Sequence, residues 1–407
     1  MLRAGYGIFY GRYPGGLINS FFLGNGQYQK AILLNGTAAA DKAAGPVFPN
    51  VLPNTGNFNP PPGSVSLNIA SSNFRTPYTQ QADIAIERQL TKDLALTVSY
   101  IWSRGLHLTS VDDVNIGAAG PVVAYRINDS SGNQTGTYST PVYVRQNRVD
   151  TRYSRINAVG AGLNSWYNGL ATQLTKRMSH GVTGSLSYTW SHAIDNGQGG
   201  AGAPNIFGSG GPQNYIPGNY NGDKGSSALD LRHLLVASAV WNPVFTHNDN
   251  AFSKYLVNNW GLSALGTLSS SPAVTPTVQI SSAFAPAPLT AAFTSSLNGY
   301  AAGGLSNRVP FLPVNSILVG KVERIDIRLT KAFPITERFR AMFTFDAFNL
   351  FNHRYLTGVN SRTYIESVVG GIPVLNPDPT TGVGTASQGF PDGTNARRLQ
   401  LGLRFNW

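Results

Sequence analysis

Six histidines (His107, His180, His192, His233, His247 and His353) are the residues of this chain best suited to proton transfer or metal ligation. None falls into an H-x3-H or HExxH spacing, which would place two imidazoles on one helix face, so loop and structural roles are favoured over a metal centre. Cysteine is absent, which removes disulfides, thiolate nucleophiles and Cys-ligated metals. The run Gly197-Gln198-Gly199-Gly200-Ala201-Gly202 has the form GxGxxG, but it opens no helical pattern and runs toward Pro204, so it reads as loop rather than as a dinucleotide site. Neither a nucleophile elbow nor a phosphate-binding P-loop is present. The expectation is a protein that is not an enzyme, with no cofactor and no metal.

Composition narrows the class. In 407 residues only 12% are charged while 11% are aromatic and 42% hydrophobic, with 45 glycines and 25 prolines. So many rings can bury a large surface, which argues against disorder. No run approaches the ~18 apolar residues of a spanning helix. The net charge of +11 comes from Lys and Arg scattered singly, without the cluster a phosphate-binding surface shows, so nucleic acid is not an expected partner. The first residues carry no basic stretch followed by an apolar one, and no secretory signal is read there.

The hydrophobic period is two. Leu94, Leu96, Val98, Tyr100 and Trp102 alternate with small and polar residues, as do Leu399, Leu401, Leu403, Phe405 and Trp407. Such alternation gives a strand one apolar and one polar face. About ten such segments are present: 2–11, 78–90, 93–103, 166–177, 182–192, 229–241, 260–270, 324–332, 337–349 and 396–407. Most have about the length of a tilted membrane-spanning strand. Their connections alternate between short (91–92, 178–181, 333–336, and by grouping 242–259) and long (12–77, 104–165, 193–228, 271–323, 350–395). Leu-Thr-Lys recurs at 90–92, 174–176 and 329–331, each time closing a strand before a short turn, so the repeating unit is a hairpin.

The tryptophans discriminate between a soluble sandwich and a barrel. If the first strand runs away from the short-turn side, Trp102, Trp166 and Trp190 fall at the long-loop end, and Trp241, Trp260 and Trp407 at the other, each within a residue or two of a strand terminus. With Tyr100 and Tyr188 they form two aromatic girdles at the headgroup levels of a bilayer. The predicted fold class is therefore all-β: an antiparallel transmembrane β-barrel, in part, of about ten strands with short periplasmic turns and long extracellular loops. On the opposite phase lie Asp83, Glu87, Asp326, Arg328, Arg340, Asp346, Arg398 and Arg404, expected to face the lumen, where they contact a plug or line a path, or are simply solvated. Arg88 sits on the apolar phase near the short-turn end, where it can snorkel. Aromatics of the long links (Phe21, Phe22, Tyr28, Phe48, Phe207, Tyr215, Tyr220, Phe284, Phe293 and Tyr364) could make a ligand-binding mouth, but packing on one another is favoured.

Several runs together resemble a known family: Tyr6-Gly7-Ile8-Phe9-Tyr10, Thr76-Pro77-Tyr78-Thr79-Gln80-Gln81, Leu174-Thr175-Lys176-Arg177, Ser187 through Asp195, Asp230-Leu231-Arg232-His233 and Phe348 through His353. They resemble the C-terminal portion of the β-barrel of a TonB-dependent outer-membrane transporter of the Oar-like type, over residues 1–407. The last strand resembles the signal read by the barrel-assembly machinery: Leu399, Leu401, Leu403, Phe405 and Trp407. The resemblance implies an outer-membrane location in a Gram-negative bacterium and energy-coupled uptake (or export) of a large substrate such as a siderophore, oligosaccharide or peptide. The partners it implies are outer-membrane lipid, a plug domain, the TonB complex and the assembly machinery. Plug, signal peptide and carboxypeptidase-regulatory-like domain are not recognised here, so the chain is expected to be roughly the second half of a barrel, with Met1 not the natural start or the gene broken. A small self-closed porin or adhesin barrel, or a secreted soluble β-rich carbohydrate-binding protein, is the alternative.

Overall fold

Period-two alternation, carried through ten segments, folds as one antiparallel meander in the computed structural model. Described are residues 1–13, 15–29, 31–32, 39–46, 49, 61–143, 148–197, 215–248, 250–280, 296–300, 307–336, 338–385 and 396–406. The strands are β1 (Leu2–Tyr10), β2 (Tyr78–Thr91), β3 (Leu94–Asp113), β4 (Tyr153–Ser179), β5 (Val182–Asp195), β6 (His233–Trp241), β7 (Trp260–Ser269), β8 (Val322–Pro334), β9 (Arg340–Phe348) and β10 (Arg398–Asn406). Each pairs with its neighbours in sequence, in the order β1 to β10. Among the described residues no ladder joins β1 to β10, so the sheet has two edges.

Register shows how the two faces are built. Leu96 faces Leu174, which faces Leu186, then Ala237, Gly266 and Ile325. One residue along, Thr97 faces Gln173, Ser187, Val236, Thr267 and Arg324. Directly opposed residues share a face, so the first row belongs to the apolar side and the second to the polar side. The apolar side is uncovered: Leu2 is 70% exposed, Ile86 58% and Leu401 68%.

Two strands exceed the expected length. β3 has 20 residues and β4 has 27, because their ladder continues past the aromatic positions into the long-loop end. Trp102 and Trp166 therefore lie within strands, and Trp190 lies five residues before the end of β5, rather than at strand termini as expected from the sequence. The ladder is offset by one residue between Gly105 and Leu108 on β3, and by one on β4 between Leu163 and Gly160, where it regains register. His107 takes a φ of 57° in this bulge.

The apolar core is mostly at that end. A second sheet of five strands (Thr277–Gln279, Arg362–Val369, Ile372–Pro377, Val122–Asn128 and Gln134–Pro141, in that order) combines segments of three different long links. It packs Tyr125, Val278, Leu297, Val309 and Leu375 into one cluster. The sequence reading had these stretches as loop, and the structure corrects it. Their alternating runs are only six to eight residues in the four longer strands. The hairpin Arg362–Val369/Ile372–Pro377 turns on Gly370 and Gly371, with φ of 59° and 80°, a conformation that glycine alone adopts without strain. A Gly371→Val variant is expected to lose ~1–2 kcal/mol at this turn, read as faster proteolysis within residues 358–385 while the wall strands stay protected.

Candidate functional site: the polar face and the folded long-loop end

On the polar face of the wall, the ion pairs lie on the flanks of the sheet. The middle strands present Thr97, Gln173, Ser187 and Thr267, with Ser185 and Ser238 hydroxyls 2.9 Å apart. On the β1–β2 flank, Arg3 pairs with Glu87 at 2.8 Å, and Gly5 leaves room for the Asp83 carboxylate, since a Cβ there would lie 2.9 Å from Oδ1. On the β8–β10 flank, Arg328 holds Asp346 through two bonds, Nε to Oδ1 at 2.5 Å and Nη2 to Oδ2 at 3.0 Å. Arg324 Nε bonds both oxygens of Asp326 at 3.0 Å, and Asp326 also accepts the Asn349 N–H at 2.8 Å. Arg398 stacks on Phe348 and Arg404 donates to Asn406.

The register sets all eight charges singled out in the sequence (Asp83, Glu87, Asp326, Arg328, Arg340, Asp346, Arg398, Arg404) on this one face. Arg3 and Arg324 share it and were not singled out. Their positions two residues from Gly5 and Asp326 on alternating strands were the available signal. Tyr100, Trp102, Trp166, Tyr188, Trp190, Trp241 and Trp260 all fall on the apolar side, as do Leu399, Leu401, Leu403 and Phe405. Trp407 lies outside the described residues. Arg88, opposite Leu96, is on the apolar side and exposed.

At the long-loop end, one ion pair ties two separate links together and two others close a single link each. Arg308, only 6% exposed, bonds Asp223 (Nε to Oδ1, 2.7 Å) and the Gly222 carbonyl, and lies under the Tyr215 ring. Asp223 in turn accepts the Tyr215 N–H at 2.7 Å; burial pushes its carboxyl above the usual range and Arg308 pulls it back. Arg148 pairs with Asp113, and Arg362 with Asp378. Hydrogen bonds from the Thr380 hydroxyl, Arg362 and the Thr380 N–H hold the Asp378 carboxyl well below the usual carboxylate range.

The link aromatics divide. Tyr215 is buried, Tyr220 donates to Asp112, Phe21 meets Phe74 edge-on at 5.1 Å and Tyr364 packs on Phe311. Phe22 and Tyr28 are exposed. Phe48, Phe207, Phe284 and Phe293 lie outside the described residues, as does most of the GxGxxG run. Among the described residues no group of three His, Asp or Glu side chains is placed to hold a metal ion.

A ten-stranded antiparallel meander, apolar on one face and polar on the other, with tight turns at one end and a folded body at the other, defines the wall of an outer-membrane β-barrel protein. The chain belongs to the outer membrane beta barrel domain family, whose model matches residues 1–400. The protein is accordingly a component of the outer membrane. No curated protein matches the chain. Among solved structures it is similar to the outer membrane transporter YddB from Escherichia coli, with 9% identity and a TM-score of 0.42, covering 86% of this chain and 35% of that one. It is also similar to the FrpB iron transporter from Neisseria meningitidis (9%, TM-score 0.38, 84% and 33%) and to the copper transporter OprC (11%, TM-score 0.32, 99% and 35%). The chain thus spans about a third of the length of these structures.

Two outcomes follow from this geometry. Cutting Arg328 back to Ala leaves the enclosed Asp346 carboxylate without its two donors, so the Arg328→Ala/Asp346→Ala double variant should be destabilised by less than the sum of the two single variants, with a coupling of roughly 1–3 kcal/mol in a double-mutant cycle of unfolding. For Asp378, the depressed carboxyl stabilises the folded link above the ordinary carboxylate value of 3.8, and the contribution is lost as pH falls through the folded value. Asp378→Asn should therefore speed amide exchange over residues 358–385 at neutral pH, and the difference from the parent should shrink as pH is lowered below about 4.

Proposed function

We propose that the chain is barrel wall of a TonB-dependent type of transporter, moving a large substrate such as a siderophore, oligosaccharide or peptide across the outer membrane. The observation that carries this reading is the sheet itself: an uncovered apolar face, a polar face with paired charges, and links at one end packed into a folded body. In this reading the apolar side meets lipid and the tryptophans mark its two headgroup levels. The polar side borders the lumen, where the flanking ion pairs (Arg3 with Glu87, Arg324 with Asp326, Arg328 with Asp346) abut a plug domain. The edges of β1 and β10 pair with further strands, because each backbone group left unpaired in hydrocarbon costs several kcal/mol. Substrate binds at the folded mouth and plug. A periplasm-spanning TonB complex pulls the plug, and the wall does no covalent chemistry. Leu399, Leu401, Leu403, Phe405 and Trp407 serve as the signal for the barrel-assembly machinery.

The absence of cysteine makes the face assignment easy to test. In outer membranes, Ser187→Cys should react with a membrane-impermeant maleimide while Leu186→Cys reacts only after detergent is added. The reverse pattern would sink the assignment. Collapse of the proton gradient should abolish uptake by intact cells yet leave surface binding in place, whereas a passive pore would keep transporting.

A further inference from the structure

Three rows of the apolar side at the long-loop end carry polar groups, one of them a guanidinium that the wall does not need. One row runs Ile8, Gln80, Arg104, Trp166 and Ile194. The next toward the short turns runs Tyr6, Ala82, Trp102, Asn168 and His192, and below it lie Ile84, Tyr100, Leu170, Trp190 and His233. Arg104 therefore stands beside Trp166 on the side assigned to lipid. Lys224, from the link before β6, places Nζ 4.3 Å over the same Trp166 ring. Two cations thus flank one indole.

Among the described residues neither cation has a carboxylate partner. The Arg104 Nε is buried without a hydrogen bond. Asp223, adjacent to Lys224, is taken by Arg308. Asp230 is shared by Arg232 at 2.8 Å, His192 at 3.1 Å and the Ala193 N–H, and Asp195, opposite Ser165, is on the other phase. An unneutralised guanidinium on a lipid-facing surface is costly, and planar donors beside a ring suit a phosphate oxygen above and an apolar chain below. The rows beneath supply that chain's surface: Trp102, Tyr100, Leu170 and the exposed Trp190.

We propose that Arg104, Lys224 and Trp166 form a binding site for a phosphate-bearing lipid of the outer leaflet. Its phosphate bridges the two cations, and its acyl chains lie along Trp102, Tyr100 and Leu170. The site rests on the apolar side facing lipid, as read above. The occupant is a lipid rather than free phosphate because the row of Arg104 and Trp166 adjoins apolar rows that continue to the short-turn end.

The test uses the full chain extracted from outer membranes, with bis-phosphorylated lipid A, the same lipid stripped of its phosphates, and inorganic phosphate as separate probes, adducts being read by native mass spectrometry. Bis-phosphorylated lipid A should bind, and Arg104→Gln/Lys224→Gln should weaken it about tenfold or more. Lys224→Gln alone, outside every strand, should give a smaller loss in the same direction, and Arg152→Gln, paired with Asp150 in a distant link, should change nothing. Equal binding of the dephosphorylated lipid, undiminished binding to the double variant, or equal retention of inorganic phosphate alone would each overturn the site. Heat-modifiable gel migration, recorded on every sample, separates the outcomes: its absence from the parent chain would refute the barrel reading itself, whereas its presence without phosphate selectivity refutes only the lipid site.

Discussion

A backbone set in hydrocarbon has no water to bond, so each N–H and C=O must find its partner in the protein. The β1–β10 ladder answers that demand, and most other features of the molecule follow from its register. Because side chains alternate, fixing one pair, such as Leu174 against Leu186, fixes the side of every residue on both strands. Leucine rows then accumulate on one side and Ser, Thr and Gln on the other. A slip of a single residue would carry Arg328 and Asp346 into the leucine rows, which is why the register is strongly specified despite the scarcity of a conventional core in the wall.

Stability at the long-loop end has a different origin. There the chain builds a true interior, with Tyr125, Leu297 and Leu375 fully enclosed and the Tyr125 hydroxyl bonded to the Leu297 carbonyl at 2.8 Å. Buried pairs such as Arg308 with Asp223 specify which links meet more than they add net stability, since desolvating two charges offsets much of their attraction. The described residues of the links thus form a packed body, in contrast to the Gly- and Pro-rich tether their composition suggests.

The wall was legible in the sequence because its signal is local and repeated. Leu94 to Trp102 announces a strand by itself, and Thr91-Lys92 announces the turn before it. The sides of Asp326 and Arg328 follow from their phase with Leu329. The five-stranded sheet of the links was not legible, because it joins Val122–Asn128 to Ile372–Pro377 in parallel across some 250 residues of chain, as Asn128 and Asn376, 248 apart, illustrate. No local pattern encodes such a meeting. Gly370-Gly371 between β-branched runs was a hairpin signal that could have been found, and the outcome shows that alternation of six residues counts when a glycine pair closes it. The described tryptophans all fall on the apolar side, as their phase in the sequence implied, but the strands bearing Trp102 and Trp166 run on beyond them because the folded links give their backbones further partners.

The paired offsets near His107 have a consequence for how such a chain can change over time. An extra residue on β3, followed by one on β4, exchanges inside for outside between Gly105 and Ser110 and then restores the pairing. Alternation in the wall and alternation in the mouth are therefore two separate reading frames, joined at an adjustable splice. Gain or loss of a residue in the links can be absorbed there without turning the leucine rows inward. The links are free to change in length and sequence while the part of the chain that must satisfy the bilayer stays in frame.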